Sequence, residues 1–167
     1  MLYPCKGSCA RLRAALLLTQ VIRLLTVNPD VIMASVQVRY IVHDVDAAIA
    51  FYATHLGFHV DMHPAPAFAM LSRGELRLVL SVPNTQSGGG QTMPDGTVPQ
   101  PGGWNRFAIE VDDLESVVAR LRAEGVHFRN DIVKGIGGNQ IIVDDPSGNP
   151  VELFEPVRPE AKLDSPR

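Results

Sequence analysis

The side chains best suited to chemistry fall into a few groups. His55, His59 and His63 stand four residues apart, a spacing that on one helix would line up three imidazoles. Gly57 and Pro64 forbid a continuous helix there. These three, His43 at a helix-entry turn and His127 are therefore expected to be structural or surface residues. The two cysteines, Cys5 and Cys9, are too small a signal for a metal site, and no thiol follows them. The run GIGGNQ at 135–140 lacks the G-x-G-x-x-G spacing and following helix of a phosphate loop, so a turn between strands is expected. Trp104 is the only tryptophan. It can stack on a planar ligand or cover the core beneath a loop, and both readings stay open. Gln37 and Arg39 alternate along one strand face, where a guanidinium could hold an anionic oxygen.

The 167 residues suit one domain or two small halves sharing a core, and 46% hydrophobic with 20% charged residues is ordinary for a globular protein. A net charge of −3 gives no nucleic-acid footprint. Residues 1–32 carry Lys6, Arg11, Arg13 and Arg23 against Asp30, so this stretch is +3 and the remainder −6. The basic, apolar run 11–27 is too short to span a bilayer, which takes about 20 apolar residues, and it lacks a secretory cleavage pattern. A short amphipathic helix touching a membrane is one reading. The simpler one is an extension outside the fold, from a start upstream of Met33. A cytoplasmic location without stable membrane insertion is expected.

An internal repeat organises the rest. The segment 36–60 has a partner in 105–128, with Arg106 falling 69 residues after Gln37 and the same offset pairing Asp44 with Asp113. Each copy opens on alternating apolar residues, Val36, Val38, Tyr40 and Val42 or Phe107, Ile109 and Val111, as a two-faced strand requires. Asp44 and Asp113 can cap the helices that follow, and Gly57 and Gly125 can stop them. Strands are then predicted at 58–62, 67–72 and 76–82, and again at 126–130, 140–143 and 151–155. The predicted fold class is α+β, with two tandem βαβββ modules at 36–82 and 104–156 inside a domain of 33–157. A linker at 83–103, in which ten residues are Pro or Gly, could serve as a lid or as a plain connection. Residues 158–167 read as a tail.

The stretches from Asp44 to Phe58, 110–126 and DPSGNPVELFEP at 145–156 resemble the vicinal-oxygen-chelate superfamily, which includes glyoxalases, bleomycin-resistance proteins and ring-cleaving dioxygenases. The resemblance covers about 36–156 and implies a curved mixed sheet around a cleft. It also implies a divalent cation (Zn, Ni, Mn or Fe) held from the first and last strand of each module. Those positions carry over to Gln37, Leu78, Arg106 and Glu152. Leu78 offers no donor, and Arg106 is a permanent cation. No metal cofactor is therefore expected; were one bound, Gln37 and Glu152 would hold it.

The expected site is a cavity lined by Gln37, Arg39, Leu78, Trp104, Arg106 and Glu152. Arg106 should satisfy Glu152 or an anionic ligand, and a desolvated Glu152 could act as a general base. The primary reading is a protein that binds a small anionic or polar molecule without metal. The alternative is a glyoxalase-like lyase or isomerase, with a ring-cleaving dioxygenase third. Whether the chain is an enzyme stays open, as does a homodimer.

Overall fold

The computed structural model describes residues 36–83 and 88–162. The expectations for residues 1–32 lie outside them. Asp44 and Asp113 each do what a capping aspartate does. The Asp44 carboxylate accepts from the Ala47 amide at 3.0 Å and starts helix α1 (Val45–Leu56). The Asp113 carboxylate accepts from the Ser116 amide at 3.0 Å and starts helix α2 (Leu114–Ala123). Each satisfies an amide that the first turn leaves without a partner. Gly57, in the left-handed region at φ 69°, ends α1.

The fold is the expected α+β, and each module contributes one four-stranded mixed sheet. In the first, β1 (Val36–Ile41), β2 (His59–Ala65), β3 (Phe68–Arg73) and β4 (Leu76–Ser81) lie in the order β1-β4-β3-β2. In the second, β5 (Ala108–Glu110), β6 (Val133–Lys134), β7 (Gly138–Asp144) and β8 (Pro150–Pro156) lie in the order β5-β8-β7-β6. The first and last strands of each module are parallel, and the other neighbours antiparallel. The repeat in the sequence is thus a repeat of topology.

One strand differs from expectation. Residues 126–130 form no strand, and only Phe128 bridges to Val143. The Asn130 side-chain oxygen accepts from the Ile142 amide at 2.9 Å, taking a place that a backbone carbonyl would fill in a regular ladder. Regular pairing resumes at Val133–Lys134.

One apolar core joins the modules. Phe51, Tyr52 and Leu56 of α1, Leu114, Val118 and Leu121 of α2, and one face of each sheet are buried together. Tyr40 stacks on Phe107 with ring centroids 5.5 Å apart, joining β1 to the approach of β5. The turn between β7 and β8 completes the seam. Asp145, 4% exposed, accepts from the Ser147 and Asn149 amides, as an Asx turn does, and from the Tyr52 hydroxyl at 3.1 Å. The Asn149 side-chain amide donates to Asp145 and to the Ile41 carbonyl, both at 2.9 Å, while its oxygen accepts from the Gly102 amide at 2.8 Å. Among the described residues, no helix is long and apolar enough to cross a membrane.

Candidate functional site

The ladder registers decide which side chains share a face. Ala108 pairs with Glu152 across β5 and β8. Arg106, two residues before Ala108, has the same parity and meets Glu152. Its Nε donates to Glu152 Oε2 at 2.8 Å, and a terminal nitrogen lies 2.6 Å from the same oxygen as an ion pair. A third nitrogen of the guanidinium donates to the Trp104 carbonyl at 3.2 Å. Trp104, Asn105, Arg106, Ala108 and Glu152 line a pocket of about 340 Å³. The side chains of Arg106 and Glu152 are 28% and 16% exposed, so the pair is half-buried and open to a ligand on one side.

Three of the expected residues, Trp104, Arg106 and Glu152, therefore meet in one pocket. Gln37 and Arg39 do not line it. They project from the face of β1 that pairs with Arg77 and Val79. A guanidinium nitrogen of Arg39 donates to the buried Ser81 hydroxyl at 2.6 Å. Gly89 of the linker lies over this arginine: a Cβ there would fall on its guanidinium. The far end of the linker is also fastened, since Gly102 is bonded to Asn149 and the Gly103 carbonyl accepts from Arg129 at 2.6 Å.

Leu78 is corrected. It is fully buried in the core, opposite Val38, on the face of β4 away from Arg39. Arg39 pairs with Val79 as Ala108 pairs with Glu152. The counterpart of Glu152 in the first module is therefore Val79, one residue on, and its side chain points to the other face.

With that register, the inherited positions are Gln37, Val79, Arg106 and Glu152. They do not fit a divalent cation. Val79 has no donor atom, and Arg106 places a fixed positive charge on the one carboxylate of the set. Four of the five histidines lie against carboxylates elsewhere. Nδ1 of His55 pairs with Glu124 at 2.7 Å, of His59 with Asp61 at 3.0 Å and of His127 with Asp144 at 3.0 Å. His63 lies 3.5 Å from Asp46. Residues 135–137 form the turn between β6 and β7 and 138–140 begin β7, with the Gly135 amide bonded to the Gly138 carbonyl at 2.8 Å.

Arg129 carries a role that no sequence signal pointed to. Its carbon Cζ sits 5.1 Å from the centre of the Trp104 ring. Its nitrogens donate to Asp144 at 2.6 Å, to the Gly103 carbonyl and to the Gly148 carbonyl at 2.8 Å. Asn105 and Ala108 also join the pocket. Parity in the approach to β5 could have found Ala108, but Arg129 comes from the irregular segment before β6.

The fold has many relatives of known structure. Lactoylglutathione lyase from Agrobacterium tumefaciens is 22% identical, with a TM-score of 0.56 over 73% of this chain and 92% of that one. A glyoxalase/bleomycin resistance protein/dioxygenase from Nocardioides is 21% identical, with a TM-score of 0.59 over 86% of this chain and 94% of its own. TnmS3, an antibiotic binding protein from Streptomyces, is 24% identical, with a TM-score of 0.55 over 72% and 93%. At these identities the likeness shows a shared fold alone. No curated protein matches the sequence. Residues 34–153 match the family model of the Glyoxalase/Bleomycin resistance protein/Dioxygenase superfamily, and the chain belongs to that superfamily.

Proposed function

We propose that the chain is a cytoplasmic small-molecule-binding protein, which takes a polar organic molecule at the pocket of Trp104, Arg106 and Glu152 without a divalent metal. The observation that carries this reading is the engagement of Glu152 Oε2 by two nitrogens of Arg106. A metal ion at this carboxylate would either displace the guanidinium from Oε2 or take the other oxygen with the guanidinium still beside it. Two unit charges about 4 Å apart repel by several kcal/mol at an effective dielectric of about 20. The same pair limits the other roles. Glu152 is a poor general base while Arg106 holds one of its oxygens, and a fully anionic ligand gains Arg106 only by competing with Glu152. Polar and neutral molecules meet no such conflict. The structural neighbours named as a lyase and as an antibiotic binding protein span both chemistries, so the shared fold does not choose between them.

The test is elemental analysis of the protein purified without chelator, with calorimetric titration of zinc, nickel and manganese. Less than a tenth of an equivalent of metal and no saturable uptake are expected. One tightly bound equivalent, lost in Glu152→Ala, would overturn the metal-free reading and put the glyoxalase-like lyase or isomerase in its place.

A further inference from the structure

Trp104 is 70% exposed, a costly position for the largest apolar side chain. It is nevertheless held in place. Arg129 lies against one face of the indole at 5.1 Å and is itself fixed by three hydrogen bonds, to Asp144, Gly103 and Gly148. The chain leading into the tryptophan is fixed too. Gly102 and Gly103 take φ of 95° and 90°, where a side chain would be strained, and Asn149 holds the Gly102 amide. The Trp104 carbonyl accepts from Arg106. An exposed indole with its backbone, its neighbour and one face already ordered loses little further freedom when a ligand settles on its open face.

The Arg106–Glu152 pair lines the same pocket as Trp104. The pair is neutral as a unit, and it offers guanidinium N–H donors next to a carboxylate acceptor. A ligand edge that complements it carries one acceptor and one donor side by side, with no net charge. A carboxylate ligand would supply two acceptors and a negative charge next to Glu152, which repels it.

We propose that Trp104 is the specificity element of this pocket, and that the ligand class is a neutral planar aromatic bearing an adjacent donor and acceptor, as in an aryl carboxamide. This rests on the binding reading above and adds the ring to it. Arg129 is a positioning residue: it acts through Trp104 by presenting the indole at a fixed angle.

The single tryptophan makes the test specific, because intrinsic fluorescence of the full chain reports on Trp104 alone. Benzamide, cyclohexanecarboxamide and benzoate are titrated by fluorescence and by calorimetry. Benzamide should quench the emission saturably and bind on the order of tenfold more tightly than either of the others. Trp104→Leu should weaken benzamide on the order of tenfold by calorimetry and leave cyclohexanecarboxamide unchanged, while Trp104→Phe keeps most of the affinity. The high exposure of Trp104 makes both variants safe for folding, which a thermal melt checks. Equal affinities for the flat and saturated amides, tighter binding of benzoate, or indifference of benzamide to Trp104→Leu would each overturn the inference. If cyclohexanecarboxamide still binds and is lost in Glu152→Ala, the pocket reading survives that failure. If no amide binds, both fall.

Discussion

Val79 of β4 and Glu152 of β8 hold equivalent places in the two modules: one is an apolar side chain 1% exposed, the other the half-buried partner of Arg106. Each is paired across a parallel ladder with the residue two after the inherited ligand position of the first strand, Arg39 after Gln37 and Ala108 after Arg106. The modules repeat in backbone and diverge at the site. Whatever charge the site uses comes from the second module.

This register separates two neighbouring substitutions. Leu78→Glu forces a carboxylate into the core among apolar side chains and should cost on the order of 3–5 kcal/mol or prevent folding. Val79→Glu places the same group on the other face, across the ladder from Arg39, and should cost clearly less. Chemical denaturation of both variants measures the difference. Equal losses would show that the two faces of β4 are not distinguished as the ladder requires.

The Arg106–Glu152 contact can be measured by a double-mutant cycle. Glu152→Ala and Arg106→Ala should each lower stability by about 1 kcal/mol, and the double variant by less than their sum, because the half-buried pair is removed together. A coupling energy of zero in denaturant titrations would show that the pair contributes nothing to the fold, leaving both groups free to respond to a ligand.

Much of this was legible from sequence, and the reasons it stopped are physical. The offset between Asp44 and Asp113 gave both helix starts, since a capping carboxylate leaves a local mark that tertiary context does not disturb. The face of Leu78 was not legible. From Leu78 to Ser81 every residue of β4 is buried, because the core covers one side and other chain segments the other, so the apolar alternation that assigns faces disappears. The break before β6 was equally hidden, since it depends on an asparagine side chain replacing a carbonyl in the ladder. The pocket residues Trp104, Arg106 and Glu152 lie at the repeat boundary and in the DPSGNPVELFEP run, where the resemblance is strongest. Arg129 and Asn105 have no such marker.

Tyrosine ionisation gives the fold an alkaline limit. Burial pushes the Tyr40 hydroxyl from 10.0 up to about 12, and burial with the neighbouring Asp145 raises Tyr52 well above its ordinary value. An unfolded tyrosine ionises near 10, so the folded chain holds the proton more tightly. The stability from Tyr40 is present in full below pH 10 and is lost as pH rises from 10 to about 12. A shift of about two units corresponds to roughly 2–3 kcal/mol at the alkaline end. Stability measured by denaturant between pH 8 and 11.5 should fall in that window. Tyr40→Phe loses the bond to the Pro150 carbonyl but should show a shallower alkaline slope. An unchanged slope would assign the alkaline loss to other groups.

The seam at Asn149 gives the sharpest prediction. Asn149 is 2% exposed, and its one amide group ties together the Ile41 carbonyl, the Asp145 carboxylate and the Gly102 amide. Asn149→Ala removes all three bonds; Asp145 keeps the Tyr52 hydroxyl and two backbone amides, but the Ile41 carbonyl and the Gly102 amide lose this partner, and the variant should cost about 2–4 kcal/mol. Asn149→Asp keeps the shape and inverts the electrostatics. The new carboxylate can still accept from Gly102, but it faces the Asp145 carboxylate where an N–H donor stood, and it has nothing to donate to Ile41. At pH 8 it should therefore be the worse of the two variants. Two carboxylates in contact cannot both stay ionised cheaply, so one takes up a proton at a raised pKa. The protonated form restores a donor between them. The gap between Asn149→Asp and the parent chain should then narrow as pH falls from 8 to 5, while the gap for Asn149→Ala stays nearly constant. Denaturant titrations of the three proteins across that range decide it. Parallel pH profiles for both variants would mean that the Asn149 amide does not donate to Asp145 as the structure places it.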